Sequence, residues 1–373
     1  MVKILFLIPS LSSGGAEKVL RNLVNNMDQS KFDITVQTIN EYDSKKFLAE
    51  GIRYKSISRC KSKIGKKIFK FWFRFTAEFG FTYPLYIKDD YDIEVAYLEC
   101  DATKVMASST NKKALKLAWV HCDLSKKEGM DTNGEKIREQ YKRYDKIVCV
   151  SKDVQAGFCK LYGSDFNTVV LPNVIDEEEI INKADKSIIW DTNSEEVQLL
   201  AVGRLTQQKN FAHLIETCGK LRNKDCRFHL NILGEGPEKD NLIQQIKELG
   251  MEDFITLRGF VNNPYPWIQK ADIIVCSSRY EGISTVVQEA MILGKAIVTT
   301  PCTGMTELLG ASEFGMIVEN SDDGLCDGLY QMIKSSDMRV LYGEKAKLRS
   351  LAYTKAKIVC LTQDFLVSGI KSI

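Results

Sequence analysis

The stretch EGISTVVQEA at residues 281–290 is the most informative part of the chain. It follows the apolar run IIVC at residues 273–276, which is typical of a buried parallel strand, and it begins a helical pattern. One carboxylate, Glu281, falls in the loop, and a second, Glu289, falls inside the predicted helix. The first N–H groups of a helix lack backbone partners and attract anions. We therefore expect this unit to bind an anion such as a diphosphate.

The size and composition of the chain predict a two-domain intracellular protein. Its 373 residues exceed the usual size of one hydrophobic core. A net charge of +2 gives no case for nucleic-acid binding. The 11 cysteines include no C-x-x-C pair, which favours reduced thiols over disulfides or a zinc site. Because no apolar run has the length of a signal peptide or a membrane span, we expect a cytoplasmic location.

Short apolar runs alternate with helical patterns in both halves, which predicts βαβ units and parallel sheets. The predicted fold class is α/β, with two Rossmann-like domains facing across a cleft. We place the first domain at residues 1–172, the second at 173–352, a polar linker at 176–196 and a last helix at about 353–373. The predicted strands are residues 4–8, 34–39, 93–98, 117–120, 147–150, 169–171, 199–202, 228–233, 255–257, 273–276, 296–299 and 316–318.

Two more loops follow predicted strands, where open parallel sheets bind ligands. In GRLTQQKN at residues 203–210, the planar fork of Arg204 and the compact charge of Lys209 could converge on one diphosphate. The alternative is an ordinary solvated basic loop. Gly14 and Gly15 open a helix after the first strand, where their backbone could approach a phosphate. Here the alternative is a tight turn that needs positive φ.

The segment GEGP at residues 234–237 is not a good dinucleotide fingerprint. It lacks the third glycine, and Pro237 suits the first position of a helix, which argues against a nicotinamide cofactor. Glu281 and Glu289 could be ordinary solvated acids at a helix start. Glu289, however, lies between the helix-core residues Val286 and Ile292. A carboxylate there could accept two hydrogen bonds from a ribose diol.

Together these segments resemble the GT4 family of retaining glycosyltransferases, which have the GT-B fold. Residues 281–290 resemble its E-x7-E signature, residues 203–210 its G-R-L-x-x-x-K motif, residues 234–237 its G-x-G-P element and residues 14–17 its N-terminal donor loop. The resemblance covers nearly the whole chain and is most specific between residues 203 and 290. It implies retaining transfer of a sugar from a nucleotide donor, with the last helix crossing back to the first domain.

The resemblance also implies roles for individual residues. Arg204 and Lys209 would stabilise the departing diphosphate, Glu281 would face the donor sugar and Glu289 would bind ribose. Ile283 stands where the family often has Phe or Leu, a mild departure. The expected donor, a UDP-sugar, would contact Gly14, Gly15, Gly203, Gly234, Gly236, Val261, Gly282, Ile283, Ser284, Thr285 and Glu289.

His121 is the one of three histidines that ends a predicted strand at the ligand side of a sheet. A histidine in such a place is often only a satisfied polar residue. The W-x-H stretch at residues 119–121 resembles the acceptor-side histidine of the family, which implies that His121 contacts the transferred sugar. His213 falls in a helical pattern and His229 in a strand, so we expect structural roles for both.

No cofactor and no metal are expected. Residues 90–92 form a D-x-D, which binds manganese in other glycosyltransferases, but they precede a predicted strand and so lie at the amino end of the sheet. We interpret them as a loop. If Arg204 and Lys209 neutralise the diphosphate, the reaction needs no metal.

Residues 61–75 have the pattern of a cationic, aromatic amphipathic helix. Such a helix is typical of a membrane-surface element attracted to anionic lipid. The alternative is a helix that packs its apolar stripe on the sheet. The apolar stripe comprises Ile64, Ile68, Phe71 and Phe75, and the cations are Lys63, Lys67, Lys70 and Arg74.

The membrane interpretation predicts a lipid-linked glycan acceptor at the inner face of the cell membrane, as in capsule or exopolysaccharide assembly. Two other functions remain open on the same scaffold. A nucleotide-sugar epimerase would convert the donor without an acceptor, and a non-catalytic sugar-nucleotide sensor would bind the donor without turning it over.

Overall fold

The computed structural model describes residues 1–11, 14–40, 44–58, 60, 62–126, 134–188, 195–319, 321 and 323–370. The chain divides into two compact units. Unit 1 comprises Met1–Val174 and Lys355–Ile373, and unit 2 comprises Ile175–Thr354. Each unit has its own parallel sheet flanked by helices. The prediction of an α/β fold with two Rossmann-like domains is confirmed.

Unit 1 contains a seven-stranded parallel sheet in the order β3-β2-β1-β4-β5-β6-β7. Its interior consists of the apolar runs that the sequence predicted as strands. Residues Ile4–Ile8 of strand β1, for example, are fully buried. The strands are β1 Val2–Ile8, β2 Phe32–Thr38, β3 Arg53–Ser56, β4 Ile93–Ala96, β5 Leu115–Val120, β6 Lys146–Cys149 and β7 Thr168–Val170. The helices are α1 Gly15–Asn26, α2 Lys63–Glu78, α3 Thr82–Tyr86, α4 Asp101–Met106, α5 Gly134–Tyr141 and α6 Lys152–Tyr162.

Unit 2 contains a six-stranded parallel sheet in the order β10-β9-β8-β11-β12-β13. The strands are β8 Val197–Val202, β9 Phe228–Leu233, β10 Ile255–Gly259, β11 Ile273–Cys276, β12 Ala296–Thr299 and β13 Met316–Ile317. The helices are α7 Glu177–Ala184, α8 Phe211–Arg222, α9 Lys239–Glu248, α10 Tyr265–Lys270, α11 Thr285–Ile292, α12 Met305–Leu309, α13 Gly324–Lys334 and α14 Ser336–Ser350.

The last helix, α15 Lys355–Ile370, packs on unit 1. The Gln363 side chain accepts a hydrogen bond from the backbone N–H of Asp28 at 2.6 Å. The ammonium of Lys146 lies 5.2 Å from the ring centre of Phe365. A hydrogen bond and a cation–π contact therefore fix this helix to Asp28, just after α1, and to Lys146 in β6.

The prediction of a linker at residues 176–196 is wrong for its first part, which forms α7. Asp176 caps this helix, because its side chain accepts the N–H of Glu179 at 3.0 Å. Three acids occupy the first turn, where the helix dipole favours them. Ile180 and Ala184, four residues apart, are the buried face of the helix, and the charges around them hide this short apolar spacing.

Helix α2 turns its apolar stripe outward. Phe73, Thr76 and Ala77 on the opposite face are at most 5% exposed. Ile64, Ile68 and the other large apolar residues of the stripe remain largely exposed, so the stripe does not pack on the sheet. These exposed residues, with those of the adjoining α3 segment, are Ile64, Ile68, Phe71, Trp72, Phe75, Phe79, Phe81 and Leu85. We call this set the apolar face of α2 and α3. Lys61 lies outside the described residues.

Candidate functional site

In unit 2, the loop after β8 (residues 203–210) and the loop after β11 (residues 277–284) are joined by several hydrogen bonds at the carboxyl side of the sheet. The Arg279 N–H donates to the Gln208 carbonyl at 2.8 Å, and the Gln208 side chain donates to the Tyr280 carbonyl at 3.0 Å. The Ser277 hydroxyl donates to the Lys209 carbonyl at 2.8 Å. These bonds fix both backbones before any ligand is present.

The side chains of Lys209 and Glu281 complete this junction. The Lys209 ammonium Nζ lies 2.5 Å from Glu281 Oε1, and the Ser278 hydroxyl donates to the same oxygen at 2.6 Å. The side chains of Lys209 and Glu281 are only 19% and 10% exposed. The structure thus brings together two residues predicted to act on the donor, 72 positions apart in sequence.

The ion pair keeps Lys209 charged. Burial acts to lower the pKa of its ammonium, but the charge and hydrogen bond of Glu281 act in the opposite direction, and the pKa lies above the ordinary lysine value of 10.5. An ammonium has three N–H donors, and Glu281 takes one of them. Lys209 can therefore bind an anionic ligand without leaving its partner.

Close backbone packing explains the glycines of the predicted motifs. Gly234 has a φ of +151°, and a Cβ there would lie 1.8 Å from the Gly203 carbonyl oxygen. A Cβ at Gly236 would lie 2.2 Å from the Leu205 carbonyl oxygen, and one at Gly203 would lie 3.0 Å from the Lys209 side chain. The GEGP segment therefore supports the loop that carries Lys209, since no larger residue would allow this contact.

Helix α11 begins at Thr285, four residues after Glu281. Ser284 caps it, with its hydroxyl accepting the Val287 N–H at 3.4 Å. Ile283 and Glu289 are almost fully buried, whereas Thr285 and Val261 are half-buried. Arg204 differs from Lys209, because its side chain is exposed and makes no hydrogen bond or ion pair with the described residues. A cavity of about 570 Å³ opens beside the ion pair and is lined by Asn210, His213, Ser277, Ser278, Arg279 and Thr300.

His121 lies in unit 1, directly after β5. Its ring packs against that of Tyr97, with ring centres 4.9 Å apart and the planes tilted by 55°. Burial lowers the pKa of His121, although the nearby Glu99 charge opposes this. The imidazole is therefore neutral at pH 7. Its Nε2 atom is buried and has no hydrogen-bond partner among the described residues. One nitrogen of a neutral imidazole donates and the other accepts, so Nε2 can form one hydrogen bond to a ligand hydroxyl.

The N-terminal glycines also lie at the carboxyl side of the sheet of unit 1. Helix α1 begins at Gly15, and Gly14 precedes it with a φ of −74°, so the alternative that this turn needs positive φ fails at Gly14. A Cβ on Gly14 would lie 2.1 Å from the Glu17 carboxylate, which also accepts a hydrogen bond from Ser10. Ser12 and Ser13 lie outside the described residues.

Three further predictions of local structure agree with the structure. Residues 90–92 form a loop before β4, where the Asp92 carboxylate accepts the Lys3 N–H at 2.8 Å, away from the carboxyl ends of the strands. His213 lies in α8 and His229 in β9, where it bonds to Thr256.

Four residues of the site were not predicted from the sequence. Gln208 and Ser278 join the two loops of unit 2, and a Cβ on Gly304 would lie 2.1 Å from the Gly282 carbonyl oxygen. In unit 1, Glu99 accepts the backbone N–H of His121. Ser278, Gly304 and Glu99 all follow predicted strands, so the strand-end rule that selected Glu281 would also have found them.

Comparison with known proteins shows what part of the chain is similar to known families. Residues 182–349 match the glycosyl transferases group 1. The fold is that of GT-B glycosyltransferases: HepE from Anabaena, solved in complex with UDP and glucose, superimposes with a TM-score of 0.75 at 18% identity, covering 99% of this chain and 100% of HepE. Residues 182–349 are therefore similar to group 1 glycosyltransferases, and the fold is the GT-B fold that the sequence motifs predicted.

Two curated relatives differ in how much of the chain they cover. One, from Campylobacter jejuni, is an N-acetylgalactosamine-N,N'-diacetylbacillosaminyl-diphospho-undecaprenol 4-alpha-N-acetylgalactosaminyltransferase. It is 38% identical over 191 residues, which are 51% of this chain and 50% of that protein. The amylovoran biosynthesis glycosyltransferase AmsD of Erwinia amylovora is 24% identical over 98% of this chain and 100% of its own length. The chain thus matches only about half of the first relative.

The close contact at Gly234 predicts that Gly234→Ala lowers the free energy of unfolding by about 1–3 kcal/mol, because the new Cβ must displace backbone. Gly219→Ala in α8 is the matched control, since a Cβ there meets nothing within 4 Å. It should raise stability by about 0.5–1 kcal/mol. Urea unfolding of both variants tests this, and equal stabilities would contradict the packing role.

The ion pair predicts that Lys209→Met and Glu281→Gln each cost about 1–3 kcal/mol, because each leaves a buried polar partner unsatisfied. The double variant should cost less than the sum by about 0.5–3 kcal/mol. Because the folded pKa of Lys209 is raised, the pair contributes fully below pH 10.5 and its contribution is lost as the pH rises through the folded pKa. The difference in urea midpoint between wild type and Lys209→Met should therefore be independent of pH near neutrality and should shrink in strong alkali. Additive costs would show that the pair is not coupled.

Proposed function

We propose that the protein transfers a sugar from a UDP-sugar donor, with retention of configuration, to a lipid-linked glycan acceptor in bacterial cell-surface polysaccharide synthesis. The observation that carries this proposal is the Lys209–Glu281 ion pair beside the N-terminus of α11. The names of the relatives support the acceptor and the pathway, since one acts on a diphospho-undecaprenol-linked sugar and the other in amylovoran biosynthesis. The UDP complex of HepE supports the donor.

The chemistry follows from where charge develops. As the bond to the donor sugar breaks, negative charge grows on the departing diphosphate, and the glycosyl centre becomes oxocarbenium-like. The Lys209 ammonium is held in place and charged before the donor binds, so it needs no rearrangement to stabilise that charge. Arg204 is exposed in the same loop and free of the described residues, so it can turn toward the diphosphate. Glu281 can accept hydrogen bonds from hydroxyl groups of the sugar.

Several roles complete the proposal. Glu289, in the second turn of α11, binds the ribose diol, and the backbone of Gly282, Ile283, Ser284 and Thr285 receives the diphosphate. His121 Nε2 forms a hydrogen bond with a hydroxyl of the transferred sugar, because it is buried and has no partner among the described residues. With Lys209 and Arg204 neutralising the diphosphate, the reaction proceeds without a metal, and EDTA should leave the rate unchanged.

The protein acts at the surface of an anionic membrane through the apolar face of α2 and α3. The eight large apolar residues of this face form a patch larger than isolated surface residues explain. Trp72 stacks on Phe75 at 6.0 Å and Phe75 on Phe79 at 4.9 Å, so the aromatic surface is continuous. Lys67, Lys70 and Arg74 lie exposed beside it. Among the described residues, no helix is both long and apolar enough to cross a bilayer, so this contact would be at the surface.

Lys209→Met should lower the rate of sugar transfer about 10²–10³-fold, the loss expected when one donor to a developing anion is removed. The assay measures UDP release and transfer to a lipid-linked acceptor. Lys220→Met, on the exposed side of α8, is the matched control and should keep the wild-type rate. Circular dichroism confirms that both variants fold. Near-normal turnover by Lys209→Met would refute the assigned role.

A thermal-shift panel of UDP-, GDP-, ADP- and TDP-sugars identifies the donor, and UDP-sugars should give the largest rise in Tm. NMR of the product then reports the anomeric configuration. Epimerised donor without acceptor would instead identify an epimerase. A rise in Tm without UDP release, with or without acceptor, would identify a sensor.

The triple variant Lys67→Glu, Lys70→Glu, Arg74→Glu should release the protein from vesicles that contain anionic phospholipid. Each cation near such a surface contributes about 1 kcal/mol, so partitioning should fall at least about 100-fold. The control triple variant Lys112→Glu, Lys113→Glu, Lys160→Glu makes the same change in net charge at other exposed sites of unit 1 and should still bind. Flotation on anionic and neutral vesicles provides the measurement. Equal flotation of both triple variants would remove the membrane proposal, and a dimer that Phe71→Ser dissociates would assign this face to a second copy.

A further inference from the structure

Glu99 is a buried carboxylate that no motif explains. It follows β4 by three residues and lies at the carboxyl side of the sheet, next to the end of the neighbouring strand β5. Only 6% of the residue is exposed. Its Oε1 atom accepts two backbone N–H groups, those of His121 and, at 3.1 Å, of Cys122. A single carboxylate oxygen thus holds the backbone from which the His121 ring projects.

The chain adopts an unfavourable conformation to place this carboxylate. Cys100, the next residue, has a φ of 69° and a ψ of −109°, outside the regions that residues with a side chain prefer. Such a residue costs on the order of 1–3 kcal/mol and persists only where the surrounding structure requires it. Burying a carboxylate adds a further cost unless it is hydrogen-bonded. Both features belong to the same turn, which points to a function of that turn.

The ring of His121 is fixed separately. It packs against Tyr97, with ring centres 4.9 Å apart, and the Tyr97 ring also lies 5.3 Å from Trp119 and 5.8 Å from Phe6. The Nε2 atom of His121 is buried without a partner among the described residues. Glu99 fixes the backbone and Tyr97 fixes the ring, so together they determine where Nε2 points.

We propose that Glu99 is a positioning residue for the transfer reaction: by accepting the N–H groups of His121 and Cys122, it holds Nε2 where it can bind a pyranose hydroxyl. This inference rests on the proposed function, because it assumes that His121 contacts the transferred sugar. The role belongs to the hydrogen bonds of Oε1 and not to the charge. An amide oxygen in the same place could accept both N–H groups, whereas a methyl group could accept neither.

The kinetic test compares Glu99→Ala, Glu99→Gln and His121→Ala. Glu99→Ala should lower turnover about 10²-fold, the loss expected from misplacing a reacting group by about 1 Å. Glu99→Gln should restore turnover to within about threefold of wild type, since it keeps the acceptor oxygen. The double variant Glu99→Ala, His121→Ala should be no slower than His121→Ala alone, because Glu99 acts through His121. Losses that multiply, or Glu99→Gln as slow as Glu99→Ala, would overturn the proposal.

The matched control is Asp92→Ala. Asp92 also accepts a backbone N–H, that of Lys3, but at the amino end of β4. It should keep wild-type turnover once it is folded, which separates loss of position at His121 from general damage to the sheet. If Glu99→Ala does not fold, Glu99→Ser takes its place. Full turnover by the folded Ala or Ser variant would also overturn the proposal.

An NMR titration tests the contact without any donor or acceptor. The chain has 3 histidines, so the His121 ring signals can be assigned by a single His121→Ala spectrum. The charge of Glu99 raises the pKa of His121 against the effect of burial. Glu99→Gln should therefore lower the pKa of His121 and leave those of His213 and His229 unchanged. An unchanged His121 titration would show that Glu99 does not act at this ring. A shifted titration in a protein without transferase activity would retain the contact and reject only the proposed function.

Discussion

The site of unit 2 depends on one interaction, the ion pair between Lys209 and Glu281. Each charge is nearly buried, and a buried charge without a partner is costly. The pair therefore fixes two loops that begin on neighbouring strands, and backbone hydrogen bonds beside it fix them again. The glycines at residues 203, 234, 236 and 304 follow from the same constraint, because the loops can approach one another this closely only where there is no side chain. The result is a cation held in place by the protein's own contacts, which is the arrangement that electrostatic catalysis needs.

Unit 1 also holds a candidate site residue in place, but by a different contact. The neutral imidazole of His121 follows β5. The Glu99 carboxylate accepts the backbone N–H groups of His121 and Cys122 and so holds this residue through its backbone. In both units, a carboxylate that follows a strand already accepts hydrogen bonds from the protein itself. Glu281 bonds a lysine and Glu99 bonds two amides. A carboxylate at the ligand side of a parallel sheet can therefore either hold the protein in place or bind the ligand. Its hydrogen-bond partners show which of these it does.

The sequence predicted the elements better than it predicted their contacts. Strands β9, β11 and β12 have the predicted bounds, because continuous apolar runs are typical of strands buried on both faces. Strand β3 was missed because its residues, RYKS, form a half-exposed edge without an apolar run. The pairing of Lys209 with Glu281 could not be predicted, since it joins positions 72 residues apart and depends on which strands are neighbours. The periodicity of α2 was clear, yet periodicity alone does not determine which side of a helix meets the protein.

The packing of α2 gives the reason to treat its exposed face as a binding surface and not as a poorly formed core. The opposite face is anchored: Phe73, Thr76 and Ala77 are buried, and the Thr82 hydroxyl donates to Thr76 at 2.8 Å. The adjoining helix α3 is fixed in turn by the Tyr83 hydroxyl, which donates to the buried Glu94 at 2.5 Å. Turning the aromatic stripe of α2 toward the sheet would break the bond to Thr76 and expose these buried residues. The stripe is therefore presented outward by the same contacts that fold the domain, which is why we propose it as the membrane-binding surface.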